Sequence, residues 1–314
     1  MKKMRLHIYI LIGVFVITFI VGSFLDEQIN AALFSRDNPF GLTMSAIGTI
    51  PGYGVFAILG GGAFSFFMNK KSKMILRILC LGLAIAGVAL GVHFSGREFF
   101  SANGFYQGPD FKWTLYGYLI ILPVMLGLGF LGYVLGKKSD NPNLWLLYLI
   151  LAVAIFLSLI PGVSALKMIF HRPRYRFLEL TGESFYPWWK PCKSYKELLA
   201  SYESIGVTKE EFKSFPSGHA GATAVSMLFA MVLPLINQKY QKCQLPIFYG
   251  AFAWTLLVMF TRMLVGAHFL SDVSMGILLT LVFMMISNEF IIHTKKLQEH
   301  LSTEEVQSVE EKGE

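Results

Sequence analysis

Long apolar runs broken by short polar clusters dominate the chain. A helix rises about 1.5 Å per residue, so roughly 20 apolar residues cross a hydrocarbon core of about 30 Å. By that measure the pattern predicts eight spans, at about 6–25, 52–69, 74–94, 114–136, 144–166, 219–236, 246–266 and 270–292. The second is short and glycine-rich, and the patchily apolar segment 28–51 reads as an interfacial stretch or a short helix. The fold class expected is all-α: a polytopic transmembrane helical bundle of about eight spans.

Composition agrees with the pattern. Of 314 residues 54% are hydrophobic but only 15% charged, where a soluble domain has about a quarter charged. So apolar a chain could neither dissolve as a globule nor remain disordered. Cys80, Cys192 and Cys243 are scattered, without a CxxC pair, and predict neither a disulfide framework nor a metal site. The start, MKKMR before a long apolar run, lacks a small-residue cleavage pattern ahead of Asp26 and reads as an uncleaved first span.

The net charge of +7 does not point to nucleic acid, because the cations sit between spans and not along one helix face. Lys2, Lys3 and Arg5, then Lys70, Lys71 and Lys73, Lys137 and Lys138, Lys239 and Lys242, and Lys295 and Lys296 all fall on one side of an eight-span chain. The positive-inside tendency makes that side cytoplasmic, with both termini there. Loops 26–51 and 95–113 carry few lysines or arginines, as outer loops should, whereas the outer segment Lys167–Pro216 is basic against the trend. The tail 297–314 is acidic and polar and reads as a frayed cytoplasmic end.

Three clusters at the outer ends of the spans carry the candidate chemistry. KMIFHRPRYR places Lys167 and Arg174 seven residues apart, two helical turns if the helix persists to Pro173. FPSGHA opens the sixth span, where a helix N-terminus offers unpaired N–H groups to an anion; Ser217 adds a hydroxyl, Gly218 a bare amide and His219 a proton donor. TRMLVGAHFLSD contributes Arg262, with His268 and Asp272 four residues apart, a spacing that suits a carboxylate orienting an imidazole. Cations, a helix N-terminus and two histidines fit phosphoryl transfer, where positioning and charge stabilisation carry most of the catalysis. One histidine can serve as nucleophile and another as acid and base.

KxxxxxxR at Lys167–Arg174, PSGH at Pro216–His219 and RxxxxxHxxxD at Arg262–Asp272 together resemble the tripartite signature of the type 2 phosphatidic acid phosphatase superfamily, over about residues 160–290. The resemblance implies a metal-independent, cofactor-free mechanism with His268 as nucleophile, Asp272 orienting it and His219 as general acid. Lys167, Arg174, Ser217, Gly218 and Arg262 would then hold the phosphate. It also implies a division into N-terminal helices (1–150), a catalytic helical core (151–296) with an outer loop at 175–215, and the tail (297–314). The chain departs from the family in three ways. Arg-Pro falls at Arg172-Pro173 and not after Arg174, Thr261 stands where Ser is usual, and eight spans replace the usual six. Spacing favours Arg174 as the phosphate ligand, with Arg172 the rival.

The expected activity is hydrolysis of a membrane lipid phosphate or diphosphate at the outer face, undecaprenyl diphosphate first among the candidates, with the bilayer as partner. The alternatives are a lipid phosphotransferase, a soluble phosphomonoester phosphatase of the same superfamily, and a transporter or lipid-binding protein. Arg172 and Arg176 are expected to contact headgroups. His93 and His171 show no partner pattern, and GLGFLG at Gly127–Gly132 reads as close helix packing, not a nucleotide site. Trp188 and Trp189 read as an interfacial belt or, more sharply, as part of a lid over the site.

Overall fold

The computed structural model describes residues 2–69, 72–99, 111–139, 141, 143–157 and 162–293. Lys70, Lys71, Lys295, Lys296, the acidic tail, most of loop 95–113 and the stretch 158–161 inside the fifth predicted span lie outside the described residues.

Helix α1 (Lys2–Leu33) continues well past its predicted end at 25. Asp26 and Asn30 end the apolar count, but they lie one helical turn apart and both are buried. After a turn, α2 (Pro39–Ile47) starts with Pro39 in its first turn and the Asn38 side chain accepting from the Gly41 N–H at 3.0 Å. This is the short helix anticipated in segment 28–51.

Helices α3 (Ile50–Phe67), α4 (Met74–Phe99) and α5 (Phe111–Lys137) pack together, α3 and α5 running parallel and α4 antiparallel to both. The glycine string belongs to that packing, as its composition suggested. A Cβ at Gly61 would overlap the Gly129 carbonyl, and one at Gly132 would overlap the Ile58 carbonyl. Gly127 faces open space.

The fifth predicted span differs from expectation. It is built as α6 (Leu144–Leu157), 14 residues long, and a second short helix, α7 (Ser164–Phe170). At about 1.5 Å per residue α6 alone reaches about 21 Å. The segment beyond, predicted as a basic outer loop, carries α8 (Tyr175–Thr181) and α9 (Tyr195–Tyr202) on a small core of Tyr175, Phe177, Leu178, Val207, Phe212 and Phe269.

The C-terminal part comprises α10 (Gly218–Ala224), α11 (Ser226–Ile236), α12 (Gln244–Leu264) and α13 (Leu270–His293). Seven helical stretches among the described residues are long and apolar enough to cross a membrane: Met4–Leu33, Pro39–Phe67, Met74–Phe99, Thr114–Lys137, Gly218–Ile236, Lys239–Leu264 and Leu270–Phe290. The described residues are helical or irregular, with no strand among them. This is a multi-pass, all-helical membrane bundle. The α10–α11 stretch is almost wholly buried at its centre, and α1 lies along α13 with Arg5 paired to Glu289.

Direction decides which ends meet. The C-terminal ends of α1, α4, α7 and α12 converge with the N-terminal ends of α10 and α13, through the contacts given below. At the opposite end, Asn141 just past α5 donates to the Leu235 carbonyl near the end of α11. The chain therefore makes a further pass between Lys137 and Lys167, which α6 and α7 supply in two pieces.

Candidate functional site

The PSGH turn is fixed first by local chemistry. Ser217 is the N-cap of α10, accepting from the Ala220 N–H at 3.3 Å, so its hydroxyl and the following residues stand at the head of the helix. Its own N–H donates to the Asp272 carbonyl at 2.9 Å, which ties this turn to the start of α13.

The turn from α12 into α13 is tighter. The N–H groups of Ala267 and His268 both donate to the Arg262 carbonyl, at 3.0 and 3.2 Å, so the backbone folds back over the arginine. Gly266 makes the reversal possible with φ +63. A Cβ there would come within 2.5 Å of the Phe34 ring and 3.0 Å of the Arg176 nitrogen. Asp272 sits at the third position of α13, and its carboxylate accepts from the Phe269 N–H at 2.8 Å, as the acid of a capping box does.

These turns bring His268 and His219 into the same buried region. His268 Nδ1 lies 2.7 Å from the Ser214 carbonyl, which can only accept. Nδ1 therefore carries the hydrogen and Nε2 keeps its lone pair. Asp272 stands 3.8 Å from Nδ1, behind that contact, and accepts from the Ser214 hydroxyl. Asp272, expected to orient the imidazole, thus lies behind Ser214, whose backbone carbonyl makes the shorter contact.

His219 is held by its other nitrogen. Nε2 lies 3.2 Å from the Ser45 carbonyl on α2, which by the same reasoning makes Nε2 the hydrogen-bearing atom. Glu98, at the end of α4, places a carboxylate oxygen 3.5 Å from the same Nε2.

Three cations surround the pair, and Lys167, Arg174 and Arg262 bear electrostatically on both imidazoles. Arg262 is wholly buried and donates to the Ser45 hydroxyl. Lys167 Nζ lies 3.7 Å from where a Gly218 Cβ would be, beside the PSGH turn. Burial, reinforced by Arg174, lowers Lys167 to about 7. Burial and the Arg176 charge likewise lower Arg174. For His268 burial dominates: the nearby Asp272 carboxylate works the other way, but the three cations add to burial and hold the imidazole well below its usual range, hence neutral.

The route from Lys167 to Arg174 is not the two-turn helix expected. Helix α7 stops at Phe170, capped by His171 at φ +45, and the chain runs extended to Arg174. The Arg174 N–H is fixed by the Glu211 carbonyl at 2.8 Å, and its guanidinium stands 4.0 Å from Glu210. His171, expected to be without a partner, stacks on Tyr195 at 3.7 Å between ring centres. His93 pairs with the Tyr118 hydroxyl at 3.1 Å.

Arg172 and Arg176 are not headgroup contacts. Arg172 is 1% exposed and spans two buried carboxylates, with Nη2 donating to Asp26 at 2.9 Å and Nη1 to Asp272 at 2.6 Å. Nη1 also reaches the Ser271 hydroxyl and Nε the Tyr186 carbonyl, both at 2.9 Å, while Phe269 lies under the guanidinium at 4.1 Å. Arg176 is buried against Glu211, with Nη2 at 2.6 Å from a carboxylate oxygen. Trp188 packs inward, stacked on Phe215 and donating to the Ser23 hydroxyl at 2.8 Å, while Trp189 is exposed.

Several site residues escaped the sequence reading: Asp26 and Asn30 on α1, Ser45 on α2, Glu98 on α4, and Ser214. Asn30 donates to the His268 carbonyl at 3.1 Å, and Asp26 caps α13 by accepting from the Ser271 N–H at 2.9 Å. One of them did carry a signal, for Glu98 is the only acid in α4, an otherwise apolar helix where an ionisable group is costly, whereas Asp26 is followed directly by Glu27. Among the described residues no three His, Cys, Asp or Glu side chains converge as metal ligands would.

Comparison with known proteins adds one finding. A family model described as the PAP2 superfamily matches residues 143–293. No curated protein and no solved structure matches the chain significantly. The matched region contains the three motifs, Lys167, Arg174, the PSGH turn and the Arg262–Asp272 segment, but not α1 to α5. Through residues 143–293 the chain belongs to the PAP2 superfamily, the type 2 phosphatidic acid phosphatases, and with its membrane-length helices it is a lipid phosphatase in general character.

Proposed function

We propose that the protein hydrolyses the phosphate or diphosphate headgroup of a membrane lipid through a phosphohistidine on His268. The observation that carries this is the pairing of a neutral His268, whose Nε2 lone pair is left over once Ser214 takes Nδ1–H, with a second imidazole under the same three cations. Nε2 of His268 attacks phosphorus and the bond to the lipid oxygen breaks. His219 delivers its Nδ1 proton to that oxygen, so the lipid leaves as the alcohol, or as the monophosphate from a diphosphate. Water then attacks the phosphohistidine while neutral His219 accepts its proton. The P–N bond breaks, free phosphate departs and His268 is restored.

Lys167, Arg174 and Arg262 neutralise the equatorial oxygens in both steps, with the Ser217 hydroxyl and Gly218 amide beside them. With this much fixed positive charge the residues meet the electrostatic demand of the reaction without a metal. Asp272 supports His268 from behind Ser214.

The site faces the extracytoplasmic side in this reading. Lys73, Lys137, Lys138, Lys239 and Lys242 flank the helix ends opposite to those that carry the histidines, and the positive-inside tendency makes those ends cytoplasmic. A site at helix ends admits a headgroup while the tail stays in the bilayer. Undecaprenyl diphosphate, released on that face, is the substrate proposed first, ahead of phosphatidylglycerol phosphate and phosphatidic acid.

The test is phosphate release from these three lipids in detergent with a chelator present, for wild type and His268→Ala. Release that survives chelator and vanishes in the variant is expected, and the fastest lipid names the class. A variant that keeps its activity overturns the phosphohistidine. If the wild type releases phosphate only when an acceptor alcohol or sugar is supplied, the protein is a transferase.

A further inference from the structure

The two histidines are built on one plan with opposite nitrogens. On His268, Nδ1 meets a backbone carbonyl at 2.7 Å and, behind it, a carboxylate oxygen of Asp272 at 3.8 Å. On His219, Nε2 meets the Ser45 carbonyl at 3.2 Å and a carboxylate oxygen of Glu98 at 3.5 Å. Each imidazole thus has one nitrogen engaged by a carbonyl and an acid, and one nitrogen left for chemistry. Asp272 lies within the motif of its histidine, whereas Glu98 reaches His219 from α4, outside the family-matched region.

We infer that Glu98 is the positioning carboxylate of the general acid, the counterpart for His219 of what Asp272 is for His268. The need is specific. His219 must carry a second proton to serve as acid, yet Lys167, Arg174 and Arg262 all bear on it. An imidazolium in such company needs an anion beside it, and the Glu98 carboxylate, 3.5 Å from Nε2, is that anion. With Nε2–H directed at Ser45 and Glu98, the proton to be delivered sits on Nδ1. A carboxylate on the remote nitrogen then fixes the ring and stabilises the imidazolium, by the same logic as the aspartate of a serine-protease triad. Glu98 itself is 7% exposed and is fixed from its other side by Arg97 Nε at 3.1 Å. The α4 helix therefore completes a site that the family-matched half leaves short of one acid.

This inference rests on the phosphatase reading, and leaving-group dependence separates the two. A lipid alkoxide or an alkyl alkoxide needs a proton to depart, whereas p-nitrophenolate departs without one. In purified full-length protein, Glu98→Gln is expected to slow release from phosphatidic acid about ten- to a hundredfold, within the ~10²–10⁴ attributed to general acid catalysis as a whole. The burst of p-nitrophenolate in a single turnover of p-nitrophenyl phosphate, which reads the first step alone, should be slowed at least about fivefold less, which also shows that the variant folds and binds phosphate. Equal slowing on both substrates, or none on either, overturns the role of Glu98 while leaving the phosphohistidine intact. Absence of wild-type release from any ester overturns both.

Discussion

Arg172 and Arg174 are neighbours in one basic cluster, and the structure gives them different surroundings that a melting experiment can tell apart. Four of the five N–H groups of Arg172 are spent on Asp26, Asp272, Ser271 and Tyr186. Arg172→Met keeps a long apolar side chain over Phe269 but strands two buried carboxylates. Removing one partner of a buried ion pair costs about 3–5 kcal/mol, because the remaining charge stays desolvated. At about 2–4 °C per kcal/mol for a protein of a few hundred residues, the apparent melting temperature in detergent should fall by about 10 °C. Cys80 and Cys192 are buried thiols, so labelling by a thiol-reactive dye on heating reports the loss of structure. Adding Asp26→Asn removes one stranded charge and should recover part of the loss, a coupling of about 1–3 kcal/mol. Arg174→Met should behave in the contrary way. It relieves repulsion among three cations, so the melting temperature should hold or rise while phosphate release collapses. If Arg172→Met melts like wild type and chiefly weakens phosphate binding, the structural role of Arg172 is wrong and the two arginines exchange places.

Lys167 and Gly266 supply the remaining tests. Lys167 loses its proton near pH 7 in the free site, so inhibition by sulfate, whose charge is constant in this range, should weaken as pH rises through 7, and Lys167→Met should flatten that dependence. Between about 7 and its usual 10.5 the unfolded chain holds a proton on this lysine that the native chain has released, so the Lys167 contribution to stability improves with rising pH across that window. Gly266→Ala forces a side chain into positive φ against Phe34 and should cost about 1–3 kcal/mol, read as a lower melting temperature with reduced activity; an unchanged melting curve would show that the turn relaxes.

Much of this architecture was legible in the chain. Apolar run length found the membrane helices, because the bilayer imposes a length that few other structures need. Motif spacing picked out His219, His268, Asp272 and the three cations, residues that the structure gathers at one end of the bundle although two of the three motifs run across a helix break. What was not legible depends on contacts between remote segments. Arg172 looked like a headgroup ligand because nothing local reveals that Asp26 waits for it on α1. The αL conformation at His171 broke the helix on which the Lys167–Arg174 spacing was argued. Ser45 and Ser214 act through backbone carbonyls, which no residue type advertises.

The pairing of α1 with α13 has a consequence for biosynthesis. Asp26 enters the membrane with one of the earliest helices, whereas the Ser271 amide and hydroxyl that it accepts from, and Asp272 on the far side of Arg172, arrive only with one of the last. Until then Asp26 is a carboxylate without its capping partners, and His268, whose carbonyl is held by Asn30, has no fixed address. A nascent chain that ends before α13 therefore carries the PSGH turn and His268 but lacks Asp272 and the Ser271 groups that Asp26 accepts from. The candidate site is assembled only when α1 and α13 have met.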